Sequence, residues 1–266
     1  MMNELAISIN SRAMVKALTA IFVASFTAGL AMGAAMPMVS MSMEIRGMSA
    51  ANIGYVVAAA PLGLIFASPI IGTLVNRLGL LSTMLLGGVI IAISLAIMPS
   101  IFGVVPWIIC RFIAGFGIAS LWILSETWVN ALATDKNRGR IIAGFMITMA
   151  AGFGLGPILI TIIGVESWLP FYMAAGILII SLIPLYLARD VAPELPPSEG
   201  WSFGKAIHAA PLLMVIALFA GVTDATQMSF IPVYAVREGF DSNVALYMLT
   251  AIVSGTLLVQ IPVGMY

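Results

Sequence analysis

Charge is what this sequence has least of. Only 8% of its 266 residues are Asp, Glu, Lys or Arg, where soluble domains carry about 25%. Eleven basic and eleven acidic side chains cancel to a net charge of zero, and no basic stripe runs along the chain. The electrostatic footprint of a nucleic-acid binder is therefore missing. Cysteine and histidine are nearly absent too. Cys110 lies in an apolar run as a small hydrophobe, and His208 has no companion. A disulfide framework and a Cys/His metal centre are excluded. An enzyme needs a nucleophile, a base or metal ligands gathered in a wet pocket, and this inventory argues against one and implies no cofactor. A channel needs a continuous polar stripe or a ring of charge, and neither is found.

What is present is apolar: 62% of the residues, with a mean hydropathy of +1.13. A soluble fold cannot cover so much apolar surface, so the main solvent is lipid. The charges cluster, and the gaps between clusters define eight spans: 15–38, 50–73, 80–99, 103–130, 141–163, 168–187, 209–232 and 245–266. Each approaches or exceeds the roughly 20 residues a helix needs to cross a bilayer. A β-barrel strand would show about ten residues of alternating polarity. The first span has a basic start at Arg12 and Lys16, but its apolar run outlasts a signal-peptide core and reads as a retained helix. With the N-terminus inside, the inner segments hold eight Lys/Arg, while the outer loops hold only Arg46 and Arg237. This asymmetry predicts a multi-pass protein of the plasma (inner) membrane with both ends cytoplasmic.

Three units are expected: a six-helix bundle over 1–187, a cytoplasmic linker over 188–208, and a partial second bundle over 209–266. The linker carries Pro193, Pro196 and Pro197, and its later part, from Trp201 to His208, suits the membrane interface. A shift of 192 residues superposes Tyr55 on Tyr247, Gly63 on Gly255 and Gly72 on Gly264. With the linker after six spans, this suggests two repeated halves. The second half would then stop after its first two helices, so the chain is expected to be a fragment or a truncated product lacking four spans.

Several motifs carry a family resemblance. Gly72-Thr73-Leu74-Val75-Asn76-Arg77-Leu78-Gly79 resembles the loop 2–3 signature of the major facilitator superfamily of secondary transporters, with Asn76 in place of the usual Asp. An ion-pair latch through position 76 is therefore in doubt. Arg111, Gly115 and Gly117 resemble the fourth-helix motif of its proton-coupled exporters. Gly152, Gly156 and Pro157 resemble the core of its antiporter motif without the closing glycine pair. Glu126 followed by Arg138-Gly139-Arg140 resembles its loop 4–5 pattern. The resemblance covers the whole chain and implies an all-α membrane fold: the six-helix N-terminal bundle plus the first two helices of the C-terminal one. It leans towards the efflux and sugar-exporter branches.

Three charges lie inside spans, where each costs about 2.5–3.5 kcal/mol on insertion scales and normally faces a bundle interior or wet cavity. Arg111 lies near 12 Å deep at about 1.5 Å per residue; it either holds an anion or tunes a nearby acid, or is a structural arginine bonded to carbonyls. Glu126 is about 22 Å further along the same helix, so the two cannot pair, and it is expected to meet Arg77, Arg138 or Arg140 at the cytoplasmic mouth. Asp224, with Thr223, Thr226 and Gln227, forms a polar knot suited to reversible proton binding or else to hydrogen bonds near the outer interface. Met32 and Met36 either line an adaptable pocket or fill gaps. Trp122 needs a partner for its N–H and either stacks on a substrate or packs the core.

The functional expectation is a secondary active transporter of a small molecule, proton-coupled and exporting, working by alternating access in contact with lipid and monomeric at full length. The alternatives are a truncated, non-transporting membrane protein or, further off, an intramembrane enzyme.

Overall fold

In lipid the backbone must satisfy its own polar groups, and helices do so within one segment. The computed structural model describes residues 11–135, 137–194 and 210–263, and these form eight α-helices with no strand among them. They are α1 Ser11–Ile45, α2 Ala50–Leu78, α3 Leu80–Ile97, α4 Val104–Leu132, α5 Arg138–Ile163, α6 Leu169–Leu187, α7 Pro211–Arg237 and α8 Ser242–Val263. Short 3-10 turns follow α3 (Met98–Ile101) and α6 (Arg189–Val191). Seven helices are long and apolar enough to cross a membrane over their described residues, and the described apolar stretch of α8 runs over Ser242–Gly255. The later part of the linker, Trp201 to His208, and the last residues of the eighth span lie outside the described residues.

Most helices outrun the apolar spans read from the sequence, α1 by four residues at its start and seven at its end (11 against 15, 45 against 38). A hydrogen-bond ladder does not stop where side chains become polar; it stops where the backbone turns away. For α1 that is Gly47, at φ +75°, with the Met48 N–H donating back to the Met43 carbonyl at 3.1 Å. Gly239 ends α7 in the same way at φ +88°, with Phe240 N–H on the Ala235 carbonyl at 3.0 Å. α2 starts at Ser49, whose hydroxyl accepts the Asn52 N–H.

Lipid gives helices no hydrophobic reason to associate, so close backbone approach through small residues does the work. Gly29 and Gly33 on α1 lie against α5, where a methyl at Gly33 would overlap the Phe153 carbonyl. Gly152 and Gly156 answer from α5, against Phe26 and Gly33–Ala34. α4 is seated twice: Gly115 meets Ala60 and Gly63 of α2, and Gly117 meets Gly87 of α3. The glycines of the Arg111 and Pro157 motifs thus position α4 and α5 in the bundle.

α7 and α8 add only a thin layer. Val233, Ala235 and Ser229 of α7 are buried, but its N-terminal half is exposed. The ties to the first six helices sit towards one end of α7: Arg237 on Glu44 of α1, and Phe230 beside Gly54 of α2. α8 reaches α5, where the Thr250 hydroxyl donates to the Gly154 carbonyl at 3.1 Å.

Candidate functional site

The helical repeat of about 100° per residue puts positions 7, 11 and 14 residues apart on nearly one face. On α4 these positions are Arg111, Ile118, Trp122 and Ser125, and all four line cavities inside the six-helix bundle. α1 supplies the facing stripe of Ser25, Gly29, Met32 and Met36. The larger cavity is bounded on α5 and α6 by Phe145, Met149 and Leu185. The smaller, about 330 Å³, is closed by Ile91 and Leu95 of α3 and Leu178 of α6. Met32 lines both, so the two adjoin.

Arg111 faces the smaller cavity at only 4% exposure, and its Nε is buried without a hydrogen-bond partner. Among the described residues no carboxylate lines either cavity. Trp122 is 39% exposed in the larger cavity, and its indole N–H donates to Glu126 Oε1 at 2.9 Å, one turn along α4. The expected contact of Glu126 with Arg77, Arg138 or Arg140 is not made; its carboxylate takes the Trp122 N–H instead. Asn130 donates its amide to the Glu126 carbonyl at 2.8 Å, and Arg138 donates to Asn130 Oδ1 at 3.1 Å. The reason is reach: Trp122 and Asn130 lie one turn either side of Glu126 on its own helix, and Arg77 and Arg140 stay exposed.

In the loop 2–3 signature, Gly79 takes φ +83° and joins α2 to α3 without an intervening loop; its N–H donates to Val75 O at 2.8 Å. Gly72 is half-buried near the end of α2, and Asn76 is exposed but engaged in a contact. Gly152, Gly156 and Pro157 are buried at the α1–α5 contact and act in packing.

Asp224 and Gln227 line neither cavity. Asp224 stands at the midpoint of α7, 13 residues from each end (224−211 and 237−224), and is exposed rather than sunk in a polar knot. Its neighbour Thr223 turns its hydroxyl back to the Phe219 carbonyl at 2.8 Å. The expectation of a buried carboxylate fails because α7 meets the bundle only towards its other end. Among the described residues no group of three His, Cys, Asp or Glu is placed to hold a metal ion.

Two features escaped the sequence reading. Arg237 grips Glu44 from 193 residues away, and Arg46 stacks over Trp168 at 3.7 Å from the ring centroid. Both pairings are long-range and leave no local pattern.

The sequence profile of the Major Facilitator Superfamily matches residues 21–266. The uncharacterized MFS-type transporter YfkF of Bacillus subtilis is 26% identical over 242 residues, which is 89% of this chain and 62% of the relative. The uncharacterized MFS-type transporter YcaD of Escherichia coli is 22% identical over 219 residues, covering 82% of this chain and 57% of the relative. The chain thus spans about three-fifths of the length of these curated relatives. Among solved structures, a nucleoside transporter, NupG, superposes with a TM-score of 0.70 at 15% identity, covering 92% of this chain and 67% of that one. A D-xylose-proton symporter gives 0.61 at 20% identity, covering 90% and 66%. At such identities the likeness is one of fold.

Proposed function

This chain belongs to the major facilitator superfamily, a family of membrane transporters rather than enzymes, and on that premise we propose that it works as a proton-coupled secondary transporter exporting a small molecule by alternating access. The observation that carries the reading is the chamber in the six-helix bundle, walled by one face of α1 and one face of α4. Its support for a rocking motion is the one-sided contact between the six-helix bundle and α7: Glu44 and Phe230 mark the joined end, and the other end of α7 is exposed. If the inner segments are those richest in Lys and Arg, the joined end is the outer one and the chamber opens inwards.

Of the carboxylates within the spans, Asp224 is the proton carrier we assign. Asp224 at the midpoint of α7 would carry a heavy cost as a permanent charge in hydrocarbon, and protonation removes it. Protonation shifts the balance between inward- and outward-open states only by its differential affinity for the two. The protein acts as a monomer in the plasma membrane, with its N-terminus cytoplasmic. The antiporter-like Gly152, Gly156 and Pro157 are the support for export.

The test is a proton-flux screen in proteoliposomes loaded with a pH-sensitive dye. Addition of the transported solute class moves protons, and an imposed pH gradient drives solute against its own gradient. Solute movement that ignores the pH gradient overturns the coupling, and the absence of any solute-dependent movement overturns transport.

A further inference from the structure

Building on the chamber reading, we infer that Arg111 makes the smaller cavity a binding site for a small organic anion, whose carboxylate or similar oxyanion takes the guanidinium and whose apolar body lies against Met32, Met36 and Ile118. Arg111 sits 4% exposed in a wall that is otherwise aliphatic. Among the described residues its Nε finds no hydrogen-bond partner, and no acidic residue lines the cavity. The two ion pairs among the described residues, Lys16–Asp190 and Glu44–Arg237, lie elsewhere.

A guanidinium cannot shed its proton in a protein, so neutralisation is closed to it as an escape. A buried charge without a partner is costly, and a buried cation is retained where something pairs with it. Glu126, 15 residues along α4, is beyond reach at about 1.5 Å per residue. Among the described residues nothing supplies the counter-charge, which leaves it to the ligand. A planar fork of donors favours a planar two-oxygen acceptor, which selects a carboxylate over a halide. The aliphatic and thioether walls select an organic anion over a strongly hydrated one such as sulfate, since they offer nothing to replace its water. Glycine seating of α4, through Gly115 and Gly117 just beyond Arg111, holds the charge in place instead of letting it swing to the interface.

The experiment uses detergent-purified protein and three probes of one shape, benzoate, benzamide and benzylamine, read by thermal shift. Benzoate is expected to stabilise most and benzylamine least. Arg111→Gln should raise the apparent Kd for benzoate about tenfold or more while leaving benzamide unchanged, as loss of a charge-assisted bond requires. Arg111→Lys should keep part of the preference. Met36→Glu, which places a tethered carboxylate on the facing wall, should abolish the benzoate response, and it serves where Arg111→Gln fails to fold. Equal responses to benzoate and benzamide that survive Arg111→Gln overturn the anion site while leaving the chamber standing. A benzoate response that persists in Met36→Glu, or no response to any probe, overturns the anion site as well. Loss of transport itself would show instead in the proteoliposome assay.

Discussion

Arg237, the last residue of α7, forks onto Glu44 near the end of α1, with Nε 2.7 Å from Oε1 and Nη2 2.8 Å from Oε2. The pair is bidentate, yet Arg237 is 45% exposed, and exposed pairs are individually weak. That is the right scale for a latch that must open. Glu44→Gln is expected to shift the population towards the outward-open state by no more than about fivefold. Access of a membrane-impermeant thiol reagent to Gly54→Cys, beside Phe230, reports it. Unchanged labelling would show that the apolar contacts alone hold this end shut.

The Trp122–Glu126 bond gives a spectroscopic handle. Among the described tryptophans Trp122 is the one lining a cavity, whereas Trp128 and Trp107 are fully buried. A ligand entering the larger cavity should change the intrinsic fluorescence of the wild type and of Trp128→Phe, and should leave Trp122→Phe silent. A response that survives Trp122→Phe places the ligand elsewhere.

The glycine contacts make a stability prediction with an internal control. Gly33→Ala drives a methyl into the Phe153 backbone, which cannot swing away as a side chain would. A loss of about 1–3 kcal/mol is expected, from overpacking. Gly176→Ala on α6 has open space around its added carbon and should be neutral or slightly stabilising. Melting in detergent compares the two, and equal losses would contradict the packing account.

Asp190, just after α6, accepts from Lys16 at the start of α1. That hydrogen bond, with the Asp190 backbone and the charges of Lys16 and Arg189, holds the carboxyl below the ordinary carboxylate value. A depressed folded value means the stabilisation is present above the unfolded pKa and fades as pH falls through the folded one. The wild type is expected to melt slightly above Asp190→Asn near neutrality, with the gap closing as pH drops from about 6 to about 3. The pair is exposed, so added salt should shrink the gap. A gap that is indifferent to pH would assign the effect to packing.

The fold was largely legible because the apolar runs and the scarcity of charge report on lipid directly. The glycines of the motifs were legible as contact points, since few other residues let helices approach so closely. The partner of Glu126 was available in principle: Trp122 lies four residues before it, the spacing of helical neighbours. It was missed because arginines nearby in sequence drew the carboxylate towards charge rather than towards the adjacent turn. Asp224 shows the opposite limit. Its place mid-helix was evident, but its exposure depends on where α7 meets α1, and no local pattern encodes that. The fork of Arg237 on Glu44 depends on the same long-range placement.

The most direct test of the chamber is the reactivity of single cysteines along α4. Cys110 is the chain's one cysteine, so Cys110→Ser gives a clean background. Cysteines at Ile118, Trp122 and Ser125, which line the cavities, should react with a water-soluble thiol reagent and be shielded by a bound solute. Cysteines at Ala119, Leu124 and Val129, buried and lining neither cavity, should stay unreactive. Reactivity spread evenly around the helix, or confined to the second set, would contradict the account.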